Sequence, residues 1–210
     1  MSPPTELVLI DSIFYLMDEI LKIKHNINSI ISLNDEELLL FCNSFEVKTL
    51  DKNEFFLKEG NVCNYIGFVN SGVMIYFKTT DNGEEITTDF AFKGDWVTNN
   101  LSRLNNSPAL INIKAIEDCE LLIIKQPLIE DLLNKIPKIE RLFRILMEQA
   151  YLKIVQQSLE LQILSAKERY ENLLHNYPEI FQKVQLYHIA NYLGIAPKSL
   201  SRIRKEIFDK

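Results

Sequence analysis

Lys198, Ser199, Ser201, Arg202 and Lys205 fall on the outward side of one helical pattern late in the 210-residue sequence. A guanidinium can pair with the O6 and N7 of a guanine, and ammonium and hydroxyl groups can pair with phosphate oxygens. Such a face suits the reading of double-stranded DNA. The apolar residues take the complementary positions. Leu200 and Ile203 lie on this helix, Leu186, Ile189, Ala190 and Leu193 on the one before it, and Ile195 in the turn between them. Ala190 is small where two helices must cross, Gly194 suits a turn that needs positive φ, and Pro197 stands where a first helical residue belongs. The spacing predicts a helix-turn-helix whose second helix enters the major groove. A solvated basic helix on a small all-α subdomain is the plainer alternative. The register shared by Ala190, Gly194 and Pro197 argues against it.

A reading helix needs a frame to hold it. The net charge is −6, which looks unfavourable for phosphate until it is divided along the chain. Residues 165–210 hold eight Lys/Arg against five Asp/Glu, whereas residues 1–164 hold fifteen against twenty-four. The positive end is the helix-turn-helix end, so one face is offered to DNA and the rest repels it.

Upstream, helical spacing runs from about Glu6 to Lys24, and Asn34 can cap a short helix ahead of Asp35-Glu36-Glu37. From about residue 45 to 125 the texture changes. Short runs such as Phe55–Leu57, Tyr65–Val69, Val73–Phe77 and Glu85–Phe90 alternate with Gly- and Asn-containing corners, and Asn82-Gly83 marks a hairpin. Strands at this spacing predict a β-sandwich or jelly roll. After Pro137 a long helix through about Leu164 carries Ile139, Phe143, Leu146, Ala150 and Ile154 on one stripe, more than a small domain needs for itself. That surplus predicts pairing with a second copy through Phe143, Leu146, Ala150 and Ile154. Ser165-Ala166-Lys167-Glu168 is a capping box that restarts a helix, so the chain bends there.

The fold class is therefore α+β: an N-terminal β jelly roll, a long dimerisation helix and a C-terminal helix-turn-helix. The expected partition is a sensor-like domain over 1–136, the dimerisation helix over 137–164 and the DNA-binding domain over 165–210. No secretory signal and no membrane span are expected, which places the protein in the cytoplasm. Cys42, Cys63 and Cys119 are widely spaced and read as buried small hydrophobes. A metal-dependent jelly-roll enzyme would need histidines on the roll, but the three histidines are His25, His175 and His188. No nucleophile motif or phosphate-cradling glycine loop is present either, so no catalytic residue, metal site or enzyme activity is expected.

The order of jelly roll, long helix and terminal helix-turn-helix resembles the Crp/Fnr family of bacterial transcription regulators. The stretches that carry the resemblance are Lys58-Glu59-Gly60, Val69–Gly72, Phe92–Trp96, Ala115–Glu120 and, above all, Leu193–Arg204. The chain ending looks like the short-tailed members of the family, which implies no β wing after the reading helix. The resemblance implies a homodimeric, sequence-specific regulator on a palindromic operator. RNA polymerase and an unidentified small-molecule effector are the further partners it implies. Arg202 falls on the family's guanine-reading arginine. Ser199, Lys205 and the backbone near Gln185 fall where the family touches phosphate, and Lys198 replaces a base-reading glutamate.

The effector pocket departs from the family pattern. Cyclic-nucleotide binders use a Gly-Glu pair and then, about ten residues on, Arg-Ser. Here those positions are Thr98-Asn99 and Ala109-Leu110. Losing a buried phosphate's arginine costs roughly 3–5 kcal/mol, about two to four decades in affinity. No cAMP binding and no cofactor are expected. Three cysteines fall short of the four thiolates of an iron–sulfur cluster, and residues 26–164 lack a histidine for haem. Thr98, Asn99, Asn100, Ala109 and Leu110 are the candidate pocket for some other effector. The rival reading is a non-enzymatic ligand-sensing or protein-interaction module whose helix-turn-helix no longer reads DNA.

Overall fold

The computed structural model describes residues 23–24 and 26–208. The helix expected over 6–24 lies outside the described residues except for Ile23 and Lys24. The first complete helix, α1 (Asp35–Cys42), is capped as its sequence requires. The Asn34 side chain accepts from the Glu37 amide, and the Glu37 carboxylate accepts from the Asn34 amide.

Eight strands follow: β1 (Glu46–Leu50), β2 (Phe55–Leu57), β3 (Tyr65–Ser71), β4 (Met74–Thr79), β5 (Glu85–Ala91), β6 (Trp96–Val97), β7 (Asn112–Ala115) and β8 (Cys119–Lys125). They form two four-stranded sheets in the orders β1-β8-β3-β6 and β2-β7-β4-β5. The β4–β5 hairpin closes through Gly83 at φ +83°, where Asn82-Gly83 predicted it. Gly72 makes the tightest corner. Its φ is +91°, and a Cβ there would stand 2.4 Å from the Cys119 Sγ, so both backbone and space demand glycine.

Strands β3, β4 and β8 are buried along most of their length because both faces of each sheet are covered there. Between the sheets lie Phe56, Val69, Met74, Val97, Ile113 and Leu121. The outer face of the first sheet, with Ile66, Phe68, Leu122 and Ile124, packs under the flanking helices α3 (Gln126–Lys135) and α4 (Lys138–Ile163). The outer face of the second sheet, with Ile75, Phe77 and Phe90, is covered by the C-terminal helices. Those helices are α5 (Ala166–Asn176), α6 (Ile180–Lys183), α7 (Leu186–Tyr192) and α8 (Pro197–Phe208). A short α2 (Asn100–Asn105) bridges β6 and β7.

The 26 residues of α4 span about 39 Å at the ordinary helical rise. Ile139 and Leu142 anchor its first turns in the core. At Leu164 the backbone turns extended, and Ser165 and Glu168 form the predicted capping box that opens α5. Among the described residues no helix is long and apolar enough to cross a membrane.

Candidate nucleic-acid interface

The helix-turn-helix is α7 and α8 joined through Gly194 at φ +66°. Ile189, Ala190, Leu193, Leu200 and Ile203 are buried, as the pattern requires. Leu186 is a correction. It is 36% exposed, and His188 is buried in its place. The reason is that α7 packs on β5 as well as on α8. The His188 Nδ1 and the Thr87 hydroxyl meet at 2.8 Å, both buried, which satisfies a polar ring inside an apolar contact. Burial lowers the His188 pKa, and nearby Glu85 opposes that effect.

Two more bonds fix the same contact, and a third ties the long helix to β5. The Tyr187 hydroxyl and the Asn191 amide both donate to the Glu85 carbonyl, at 2.8 and 2.6 Å. Lys153 on α4 pairs with Asp89 on β5 at 2.8 Å. Burial works against the Lys153 charge, but Asp89 outweighs it and leaves the pKa above its ordinary value. Tyr192 stacks against Phe90 at 5.0 Å, a packing role, as its place in the pattern suggests. One guanidinium ties the helix ends together. Arg169 on α5 donates to the Leu193 carbonyl through Nε and Nη2, and to the Leu164 carbonyl through Nη1 at 2.6 Å. These are the free carbonyls at the ends of α7 and α4.

On α8 the outward residues stand clear. Lys198, Ser201, Arg202 and Lys205 are exposed and Ser199 is half-buried. The Arg202 side chain is 77% exposed and meets Glu206 only at 3.9 Å, a weak i,i+4 contact. The Ser201 hydroxyl donates to the Pro197 carbonyl. Gln185 is exposed at the start of α7, with its carbonyl accepting from the His188 and Ile189 amides. Arg204, which lacks an assigned role in the sequence reading, turns inward over the Phe181 ring at 5.1 Å. Lys198, Arg202 and Lys205 thus form a solvent-facing cationic edge backed by an apolar one.

Of the candidate effector residues, Thr98 and Asn100 line one cleft on the outer side of the first sheet, whereas Asn99, Ala109 and Leu110 do not. Thr98 donates to the Tyr65 carbonyl and touches the Cys63 sulfur. Asn99 caps α2 by accepting from the Ser102 amide, and Asn100 accepts from Arg103. Ala109 is buried, with its backbone bonded to Gly60 and Asn61, whereas Leu110 is 63% exposed. The buried Ser102 hydroxyl accepts from the Cys63 amide and donates to the Ser107 carbonyl. The Tyr65 hydroxyl donates to the Phe56 carbonyl, with the two rings edge to face. Phe56, Val69, Met74, Val97, Ile113 and Leu121 pack between the sheets.

The long helix sorts its apolar residues differently from the expected stripe. Phe143, Leu146 and Ala150 are half-buried against their own chain, while Ile154 is 65% exposed. The free apolar seam is Met147, Tyr151, Ile154 and Leu161, at steps of four, three and seven residues. The expected stripe and this seam share Ile154. The earlier positions turn inward because the roll and α3 stand against the first half of α4. Among the described residues no group of three or more His, Cys, Asp or Glu could hold a metal ion.

A model of the cyclic nucleotide-binding domain matches residues 47–135. The anaerobic regulatory protein of Haemophilus influenzae is 26% identical over 184 residues, covering 82% of this chain and 71% of that protein. The transcriptional activator protein anr of Pseudomonas aeruginosa is 27% identical over 167 residues, covering 74% and 68%. Among solved structures, FixK2 from Bradyrhizobium japonicum superimposes with a TM-score of 0.70 at 17% identity, covering 79% of this chain and 85% of that one. The regulator CLP of Xanthomonas campestris, described as c-di-GMP responsive, superimposes with a TM-score of 0.66 at 14% identity, covering 84% and 92%.

Proposed function

We propose that this chain is a DNA-binding transcription regulator of the Crp/Fnr type, and that it acts in the cytoplasm as a homodimer on a palindromic operator, without a cyclic nucleotide. The observation that carries the reading is the exposed edge of α8. Arg202 has no strong partner of its own and stands between Lys198 and Lys205 on a helix whose other side is buried. Arg202 reads guanine, and Lys198, Ser199, Ser201, Lys205 and the start of α7 at Gln185 hold phosphate or neighbouring base edges. In this reading the protein binds and does not catalyse.

Pairing runs along the seam of Met147, Tyr151, Ile154 and Leu161, with the half-buried Phe143, Leu146 and Ala150 supporting it from the roll side. A dimer places two α8 helices on half-sites about 34–36 Å apart. The absence of cAMP control is supported by the region between the sheets. Ala109 stands where a phosphate-pairing arginine would, and Thr98 and Ser102 are already bonded within the chain. The α2 segment would have to be rebuilt to admit a ribose phosphate.

Selection from a random DNA pool with purified protein, at about 150 mM salt where non-specific phosphate binding is weak, tests the reading. The expected outcome is a recovered palindrome without added ligand. Failure to enrich any motif, with a helix-turn-helix that is folded by circular dichroism, would sink the proposal of a DNA reader competent on its own.

A further inference from the structure

A cleft of about 360 Å³ opens outside the roll, between the outer face of the first sheet, α2 and the first half of α4. That volume lies in the range of small-molecule sites. Its walls are mostly apolar, with Trp96, Ile129, Leu133, Phe143 and Met147 among them, and Arg103 stands in the wall supplied by α2. The environment of Arg103 is unusual. The guanidinium is half-buried, and its two bonds go to neutral amides: Nη1 to Gln126 at 2.7 Å and Nη2 to Asn100 at 2.9 Å. Its Nε is buried without an acceptor. Among the described residues no carboxylate lies within ion-pair distance of it, although the chain has 29 Asp and Glu. Burial lowers the Arg103 pKa, and nearby Cys63 opposes that effect without cancelling it. Glu140 and Arg144 also line the cleft, and Arg144 is already bonded to Glu148 at 2.6 Å.

We propose that this cleft binds a small amphipathic carboxylate, whose anionic head pairs with Arg103 and whose hydrocarbon body lies against Trp96, Ile129, Leu133 and Phe143. A planar carboxylate matches the guanidinium fork and supplies the missing counter-charge. The apolar walls account for the body, because a simple inorganic anion would leave them wet. This site lies on the outer side of the first sheet, and Thr98 and Asn100 of the candidate effector residues line it as well. Met147 belongs both to the cleft wall and to the free seam of α4, so occupancy bears directly on pairing of the long helices. The proposal takes from the regulator reading only that a ligand here has something to control. Binding itself is measured without DNA, so the two can fail separately.

Trp96 is the single tryptophan of the chain, and its emission reports occupancy of the cleft. The full-length protein is titrated with sodium decanoate and, in parallel, with the neutral isostere 1-decanol. The expected result is a saturable change with decanoate, and binding of the alcohol weaker by about tenfold or more. Arg103→Gln should weaken decanoate to the level of the alcohol. Leu104 also lines the cleft and is 60% exposed, so Leu104→Glu can fold normally while adding a repelling charge; it should weaken decanoate and leave decanol unchanged. Circular dichroism and the mass by light scattering accompany each variant. No saturable change with decanoate, or equal binding of acid and alcohol, would overturn the proposal. So would wild-type binding by a folded Arg103→Gln protein, or by Leu104→Glu where Arg103→Gln does not fold. A shift of Arg103→Gln from dimer to monomer without any ligand effect would assign the cleft to a second copy of the chain instead.

Discussion

The reading helix α8 and the space between the two sheets handle their polar groups in opposite ways. On α8, Lys198, Arg202 and Lys205 point into solvent, and Arg202 spends only a long, exposed contact on Glu206. Around α2 and the adjoining edge of the roll, Thr98, Ser102 and Tyr65 each bond to a neighbouring backbone group, and Phe56 and Met74 pack between the sheets. A binding site is made of groups whose hydrogen bonds are incomplete until a partner arrives, because a buried polar group left unpaired is costly. By that measure the DNA-facing end is prepared for a ligand and the family's effector space is not.

The sharpest way to break this contrast is to remove the proposed dimer, which would present two α8 helices at once. Ile154→Glu should place facing carboxylates on the seam and convert the protein to a monomer, with a loss of operator affinity of at least about a hundredfold. A dimeric mass by light scattering would refute the seam. Arg202→Ala comes next. It should lower discrimination between operator and mismatched DNA by roughly ten- to a hundredfold, equivalent to about 1–3 kcal/mol, while the dimer persists. Competition binding with single-base variants of the operator measures it, and an unchanged preference would remove Arg202 from its role.

A smaller effect concerns the docking of α7 on β5. Burial depresses the His188 pKa in the docked state, so docking is fully supported above the ordinary histidine value of about 6.5. That support is lost as the pH falls through the lower, docked value, because protonation then favours the undocked form. Glu85, Lys114 and the Thr87 hydroxyl are the groups facing the ring, with Glu85 opposing the depression and Lys114 adding to it. Amide exchange in β5 and α7, corrected for intrinsic rates, should be faster at about pH 5.5 than at about pH 7.5, and this difference should vanish in His188→Gln. The smallest expected effect sharpens the contrast from the other side. Ala109→Arg restores the charge of a cyclic-nucleotide site but not the room, so calorimetry with cAMP should still show no binding. Micromolar binding would mean that the space between the sheets opens readily.

The helix-turn-helix was legible in the sequence because its signals are local. Ala190, Gly194, Pro197 and the outward cations lie within sixteen residues, and helical geometry alone relates them. The caps at Asn34 and Ser165 and the hairpin at Gly83 were legible for the same reason. The failures came where distant segments meet. Leu186 was expected inside, but the buried face of α7 is set partly by Thr87, about a hundred residues from His188. The expected pairing stripe mixed residues facing the roll with residues facing outward, since the periodicity of a helix does not say which neighbour stands against each turn. The strands β6, β7 and β8 are short or continuously apolar and gave weaker signals than β2 to β5. Arg103 was visible as a charge but not as an unpaired one, because its surroundings come from α2, α3 and their junctions with the sheet.

The three bonds of Arg169 have a mechanical consequence. A single rigid fork spans the last carbonyl turn of α4 and the carbonyl just before Gly194, so the axle and the reading head share one pin. A twist of the long helix about its own axis cannot be absorbed at the extended residue Leu164 alone. It drags the turn of the helix-turn-helix with it, and the pitch of α8 against a DNA groove follows. A lysine at this position would keep the charge but lose the fork, and the two parts would then turn as a loose joint.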